Sequence, residues 1–157
     1  DLKGKTIGNY AASLYPQKLA KSAGFDEVIY LNAGDDSIEE VGSANIFMYK
    51  DGVIFTPPLS GSILPGVTRD SVIHIARNTL NLKVEERPIF LHDLMDADEI
   101  FCTGTAVSVT PIGQITADES VGIINNNQIG KITQILNTEL TSIQKETKSL
   151  LLITLLI

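Results

Sequence analysis

The chain has 157 residues with 12 basic and 19 acidic side chains, and its formal net charge at pH 7 is −7. This length suits one domain or a large piece of one, and a composition of 43% hydrophobic and 20% charged residues argues against disorder. The acid excess argues against nucleic-acid binding, no apolar run reaches the roughly 18 residues that span a bilayer, and the single cysteine excludes an internal disulfide framework.

The chain as far as residue 103 contains clear signals for a helix, strands and a hairpin. Residues 11–24 predict a helix that ends at glycine, with Pro16 as an early kink. Apolar or alternating runs predict strands over residues 27–31, 45–50, 53–56, 83–87 and 98–103. Asp51-Gly52 joins two of these strands and is the strongest hairpin signal, while Pro57-Pro58 ends the second of them.

Two further helices are predicted, one after residue 66 and one near the end of the chain. Pro65-Gly66 forms a turn before a helix for which Thr68 is a candidate N-cap. The apolar residues of its buried stripe are Val72, Ile73, Ile75 and Ala76. Near the end, apolar residues recur at helical spacing at Ile129, Ile132, Ile135, Leu136, Leu140 and Ile143. Helices and strands therefore mix, which indicates an α/β or α+β domain.

Four short segments could carry chemistry, and each also has a purely structural interpretation. Lys5 lies beside a glycine turn, and Glu39-Glu40 places two carboxylates before a strand. Residues 66–70 begin a helix whose free N–H groups could bind a phosphate, and residues 103–106 form a turn that could present further donors. Taken singly, they are more typical of a surface lysine, a polar loop, a capped helix and an ordinary turn.

In their order along the chain, these segments resemble the motifs of one enzyme family. Residues 5–10 match the motif Lys-x-Gly-Gly-Asn-Tyr with Ile7 in place of the first glycine, and residues 38–47 resemble Glu-x-Gly-x-x-Asn-hydrophobic-Phe. Residues 56–70 are the most specific match, and Gly104-Thr-Ala before Thr110-Pro111 completes the set. The chain thus resembles the C-terminal, cofactor-binding half of branched-chain amino-acid aminotransferases, which are fold-type IV enzymes that use pyridoxal 5′-phosphate.

The resemblance extends over residues 5–143 and implies a fold and a domain division. The expected fold is mixed α and β, the C-terminal pseudo-barrel-like domain of the D-amino-acid-aminotransferase-like fold. Residues 1–148 would form the cofactor-binding domain, without the N-terminal domain of the family. Residues 149–157 form an atypical apolar tail that the family does not share.

The resemblance also assigns roles at the ring of the cofactor. Lys5, which keeps the family spacing that Lys3 does not, would bind the cofactor covalently and act as the general base in proton transfer. Tyr10 would donate a hydrogen bond to the phenolic oxygen. Glu40 would pair with the pyridine nitrogen, while Glu39 would face away because side chains alternate along an extended segment.

At the other end of the cofactor, Val67, Thr68 and Thr105 match the phosphate-binding positions of the family. The backbone of Thr105 and Ala106 would also hold the substrate carboxylate. Outside this set, Cys102 is expected to be a core residue rather than a nucleophile, and His74 and His92 are interpreted as non-catalytic, with no metal site.

The implied reaction exchanges the amino group between leucine, isoleucine or valine and 2-oxoglutarate. Alternatives are another fold-type IV enzyme, such as a D-amino-acid aminotransferase or an aminodeoxychorismate lyase, or a truncated domain that is inactive or serves only in assembly. The expected partners are branched-chain amino acids and 2-oxo acids, with a homodimer in the full-length enzyme and neither nucleic acid nor membrane. The expected location is cytoplasmic, with a mitochondrial location as the alternative.

Overall fold

A computed structural model describes the backbone of residues 7–60, 62–106 and 108–154, and within these ranges the side chains from residue 14 to residue 145. The helices are α1 (Ile7–Ser22), α2 (Val67–Asn78), α3 (Leu91–Met95) and α4 (Lys131–Thr154). The strands are β1 (Ile29–Leu31), β2 (Ile38–Val41), β3 (Ala44–Lys50), β4 (Val53–Thr56), β5 (Lys83–Glu86), β6 (Glu99–Gly104), β7 (Ser108–Pro111), β8 (Gln114–Ala117) and β9 (Ser120–Ile123). The mixed α and β class is confirmed. Within the described ranges, no helix is both long enough and apolar enough to cross a membrane.

Strand β3 organises the seven-stranded sheet. Strand β6 pairs along one of its edges, while β2 pairs with its first residues and β4 with its last residues along the other edge. All strand pairs are antiparallel except β4 and β5, which are parallel and therefore need a crossover connection. The long loop after β4 and helix α2 form that crossover. Strands β8 and β9 form a separate two-stranded sheet.

The predicted hairpin between β3 and β4 is confirmed. Lys50 pairs with Val53, and the two turn residues have left-handed backbone angles, with φ of 48° at Asp51 and 86° at Gly52. Positive φ at both central residues is the pattern of a type I′ turn, which matches the twist of the flanking strands. Gly52 adopts this conformation without the steric penalty that a Cβ would add.

The two faces of the sheet carry separate parts of the core. On one face, the rings of Phe47 and Phe101 stack with their centroids 5.1 Å apart, and helices α2 and α4 cover them. The opposite face is covered by residues of α3 and the second sheet, and its buried members include Ile46, Met48, Ile100, Cys102, Leu94 and Ile115. The four residues of the predicted α2 stripe are all buried. The apolar stripe of α2 therefore packs on the sheet face that carries Phe47 and Phe101, and it holds the candidate phosphate site against the centre of the sheet.

Several predicted boundaries differ from the structure. Helix α1 begins at Ile7 rather than at residue 11, and after it Gly24 has φ of 89° while the Phe25 N–H bonds to the Ala20 carbonyl, which is the hydrogen-bonding pattern of a Schellman motif. The stripe of the last helix was predicted too long. Ile129 precedes α4 and is 62% exposed, and Ile143 is 49% exposed. Helix α3 and strands β2, β7, β8 and β9 were not predicted.

Helix α4 is held to the sheet by a buried carboxylate. Glu99, at the start of β6, is 8% exposed and accepts hydrogen bonds from the Ile132 N–H, the Thr133 N–H and the Thr133 hydroxyl at 3.0, 2.9 and 2.7 Å. These groups belong to the first turn of α4, where backbone donors have no partner within the helix. A Cβ at Gly130 would overlap the Glu99 carboxylate. The carboxylate therefore caps a helix that begins about thirty residues later in the chain.

Candidate functional site

A tight hairpin brings Glu40 and Asn45 together. Glu40 on β2 pairs directly with Asn45 on β3, and the Asn45 Nδ2 donates to Glu40 Oε1 at 3.3 Å. The hairpin turns at Gly42, whose φ of 58° is a backbone conformation that favours glycine. The spacing of five residues between the carboxylate and the amide thus follows from a two-residue turn between paired strands.

The same two side chains contact the loop that leads into α2. The Leu64 N–H donates to Glu40 Oε1 at 3.2 Å, and Asn45 Nδ2 donates to the Leu64 carbonyl at 2.9 Å. A Cβ on Gly66 would overlap Asn45 Oδ1, so this glycine permits the close approach. The carboxylate on β2 and the beginning of α2 are therefore held together through one buried amide.

Glu39 differs from its predicted surroundings. It was expected to face away, whereas it is half-buried and its Oε1 accepts hydrogen bonds from Asn32 Nδ2 at 2.9 Å and from the Ser62 hydroxyl at 2.6 Å. The pairing of β1 with β2 shifts register at this point, since Tyr30 pairs with Glu40 and Leu31 with Ile38. Such a bulge breaks the strict alternation on which the expectation depended. The two adjacent carboxylates nevertheless bind different groups.

Helix α2 begins at Val67, three residues after Leu64, and Gly66 is its N-cap. The Asp70 N–H bonds to the Gly66 carbonyl at 3.0 Å, whereas the N–H groups of Val67 and Thr68 have no hydrogen-bond partner within the described ranges. The prediction of Thr68 as the N-cap is wrong, because the helix starts at Val67 and no side chain caps it. Two free donors and the positive end of the helix dipole make this position suited to an anion.

Arg69 anchors this helix start to the sheet and was not identified from the sequence. It is 4% exposed, and its Nη2 donates to the Pro57 carbonyl at 3.0 Å and to Glu86 Oε2 at 2.8 Å. The hydrogen bond from Arg69, followed by the charges of Arg69 and Arg77, lowers the pKa of Glu86, while burial opposes this shift. The ion pair links the first turn of α2 to β5.

The turn after β6 follows Thr103, a residue that lies beside Asn45 in the sheet. Thr103 pairs directly with Asn45, is 1% exposed, and has a hydroxyl that finds no hydrogen-bond partner in the described part of the chain. Thr105 and Ala106 follow in an exposed turn between Gly104 and Ser108. Strand β6 runs antiparallel to β3 and ends beside the first residues of β3. The turn after β6 therefore leaves the sheet at the same end of the strands as Glu40 and Asn45.

Comparison with known proteins identifies the family. Residues 2–115, which is well over half of the chain, match the family described as Amino-transferase class IV. The chain belongs to the class IV aminotransferases.

Close relatives of this class IV aminotransferase chain include plant and bacterial proteins. It is 49% identical over 141 residues to branched-chain amino acid aminotransferase 2, chloroplastic, of Humulus lupulus, which covers 89% of the chain and 34% of that protein. It is 43% identical over 150 residues to the probable branched-chain-amino-acid aminotransferase of Staphylococcus aureus, which covers 91% of the chain and 42% of that protein. The chain therefore spans between about a third and two fifths of the length of these relatives.

Solved structures give the same result for the fold. The branched-chain amino acid aminotransferase from Thermobaculum terrenum in its PLP-form has a TM-score of 0.81 at 31% identity, covering 90% of the chain and 44% of that structure. The branched-chain amino acid aminotransferase from Escherichia coli has a TM-score of 0.77 at 35% identity, covering 87% and 44%. The expected likeness to this family of mixed α and β enzymes is confirmed.

Some of the predicted site residues of this class IV aminotransferase lie within the described structure and others outside it. Lys5 lies outside the described residues, and of Tyr10 only the helical backbone is described. The structure brings Glu40 within hydrogen-bonding distance of the loop that leads to Val67 and Thr68. The roles of all these residues remain predictions.

The remaining reactive side chains lie apart from this site. Cys102 is buried on the opposite face of the sheet, as expected for a core residue, and burial raises the pKa of its thiol to about 11. His74 is exposed and contacts Asn78, and His92 is exposed and stacks on Phe90. Among the residues that the structure describes, no cluster of three or more metal-binding side chains occurs.

Proposed function

We propose that this chain is the pyridoxal 5′-phosphate-binding part of a branched-chain amino-acid aminotransferase, which transfers the amino group between leucine, isoleucine or valine and 2-oxoglutarate. The names of its relatives support this reaction. The observation that carries the proposal is the junction of Glu40, Asn45 and the loop before α2, because it joins a carboxylate to a helix N-terminus.

The chemistry of these groups fits the two ends of pyridoxal phosphate. The phosphate is an anion, and the N–H groups of Val67 and Thr68 at a helix start, which have no partner among the described residues, are suited to receive it. The ring nitrogen is a base, and an adjacent carboxylate stabilises its protonated form. Glu40 is such a carboxylate, and it lies on the sheet face that α2 covers.

Each residue then has a definite task. When bound, pyridoxal phosphate supplies an electron-accepting ring that stabilises negative charge at the substrate α-carbon. Glu40 holds a proton at the ring nitrogen, and Tyr10 donates a hydrogen bond to the phenolic oxygen. Lys5 anchors the cofactor and moves a proton between the substrate α-carbon and the cofactor C4′ atom.

The substrate carboxylate is assigned to the turn after β6. The backbone N–H groups of Thr105 and Ala106 would bind this carboxylate, and Thr105 would also contact the phosphate. The turn is exposed in the described structure and leaves the sheet at the end of the strands where Asn45 lies, which supports this assignment.

The proposal also includes the division of the chain and the state of the whole enzyme. Residues 1–148 form the cofactor-binding domain and residues 149–157 form the apolar tail. The whole enzyme is a cytoplasmic homodimer.

The test is chemical capture of the cofactor. The purified chain is mixed with pyridoxal phosphate, reduced with borohydride, and digested for peptide mass spectrometry. We expect one stoichiometric adduct at Lys5. The Lys5→Arg variant should lose this adduct, while Lys3→Arg, a matched change two residues away, should retain it.

The outcomes separate the alternatives. An adduct that remains in Lys5→Arg would move the covalent role to another lysine. Labelling scattered over surface lysines, or no labelling at all, would contradict cofactor binding by this chain and favour the inactive or assembly domain. If the adduct forms at Lys5, then conversion of the bound cofactor by leucine rather than by D-alanine distinguishes the branched-chain reaction from that of a D-amino-acid aminotransferase.

A further inference from the structure

We infer that Asn45 is a positioning residue, which sets the distance between the carboxylate that meets the cofactor ring and the helix start that meets the cofactor phosphate. The inference rests on the proposed function for its ligand, but its geometry is that of the described residues alone. Asn45 does not need to touch the cofactor for this role.

The first argument is how the amide is used. The Asn45 Nδ2 carries two N–H groups, and it donates to Glu40 Oε1 at 3.3 Å and to the Leu64 carbonyl at 2.9 Å. Both acceptors require a donor, so rotation of the amide by 180° would place Oδ1 against two oxygen atoms. The side chain is 6% exposed, and water therefore offers little substitute for either hydrogen bond.

The second argument is the position of the amide oxygen. Asn45 Oδ1 lies so close to Gly66 that a Cβ there would overlap it. Gly66 is the N-cap of α2, and the N–H groups of Val67 and Thr68 follow directly. One side chain thus contacts the carboxylate on β2, the loop carbonyl and the N-cap of the helix.

The third argument is that Asn45 lies on a strand with neighbours on both sides. Asn45 lies on β3, the strand that pairs with β2 on one edge and with β6 on the other. A movement of α2 relative to Glu40 therefore requires these hydrogen bonds to break or the centre of the sheet to deform. A ligand that contacts both Glu40 and the start of α2 gains most from this preorganisation, because its binding energy is not spent on bringing the two groups into position.

The experiment compares two ligands and two variants. Dissociation constants for pyridoxal phosphate and for pyridoxal, which lacks the phosphate, are measured for the wild-type chain, Asn45→Ala and Thr56→Val. Thr56 is the matched control, since its buried hydroxyl donates one hydrogen bond, to the Ile46 carbonyl at 2.8 Å, and within the described residues it makes no side-chain hydrogen bond to Glu40 or to α2. The decisive quantity is the dissociation constant of pyridoxal divided by that of pyridoxal phosphate.

We expect Asn45→Ala to lower this ratio about tenfold, the effect of losing about one well-placed hydrogen bond at the phosphate. Thr56→Val should leave the ratio within about twofold of the wild type, because general destabilisation affects both ligands equally. An unchanged ratio in Asn45→Ala, or an equal fall in both variants, would overturn the inference.

Hydrogen exchange without any ligand tests the same geometry independently of the proposed function. In Asn45→Ala the amide of Leu64, which bonds to Glu40, should exchange about tenfold faster than in the wild type, and in Thr56→Val it should not. If the wild-type chain binds no pyridoxal phosphate but shows this difference, the proposed function fails and the positioning role of Asn45 stands. If exchange at Leu64 is equal in all three proteins, the positioning role fails.

Discussion

Replacing Glu99 by glutamine should weaken the attachment of α4 to the sheet. The two carboxylate oxygens accept three hydrogen bonds from the first turn of the helix, one at Oε1 and two at Oε2. Glutamine has nearly the same shape but only one acceptor oxygen. In its best orientation it keeps the two bonds to Thr133 and presents an NH₂ group to the Ile132 N–H, where two donors then oppose each other.

The expected cost follows from these contacts. A hydrogen bond to a charged group contributes about 1.5–3 kcal/mol, and a negative charge at a helix N-terminus contributes about 1 kcal/mol. Relief from burying a charge offsets part of this sum. We therefore expect Glu99→Gln to lower the free energy of unfolding by about 2–4 kcal/mol.

Urea unfolding followed by circular dichroism measures this change. Glu119→Gln is the matched control, because it alters the net charge equally at an exposed position in the turn between β8 and β9. That variant should stay within about 0.5 kcal/mol of the wild type. A Glu99→Gln value that falls within the same range would refute the capping argument.

Two further predictions concern other titratable groups. Because the Arg69 hydrogen bond lowers the pKa of Glu86, this contact stabilises the fold fully above the unfolded pKa of the carboxyl and is lost as pH falls through the lower folded pKa. In urea unfolding between pH 6 and pH 3, Glu86→Gln should therefore show a shallower loss of stability on acidification than Glu85→Gln, and equal slopes would contradict this. Because the pKa of buried Cys102 is raised to about 11, iodoacetamide at pH 8 should label this thiol only after unfolding. Rapid labelling of the folded chain would show that the thiol is accessible.

Features that depend on neighbours in the sequence were predicted well. Asp51-Gly52 determines its hairpin through the backbone freedom of two adjacent residues, and the α2 stripe follows from helical periodicity alone. The family motifs also indicate Glu40 and the start of α2 as cofactor-binding positions, and these roles stay predictions. The structure adds a reason for their association, because Gly42 turns the chain so that Glu40 and Asn45 meet.

Features that depend on distant pairing were missed. Glu99 caps α4 across more than thirty residues, and no local pattern indicates a helix cap supplied by a strand. Thr68 is a good N-cap residue by type, but the helix starts at Val67 and its N-cap is Gly66, which packs against the distant Asn45. The bulge at Glu39 arises from the pairing of β2 with β1, which a single segment does not encode.

The hairpin between Glu40 and Asn45 also limits which changes of length the chain can accept. Side chains alternate between the two faces of a strand, so one residue added or removed between these positions would turn Asn45 toward the opposite face. Its amide would then be among the apolar residues that pack against Ile46, and α2 would lose its contact with the carboxylate. Among the described residues, the exposed turn at residues 118–119 has no side-chain partner whose register must be kept, so loops of different length are compatible with the fold there and not at Gly42.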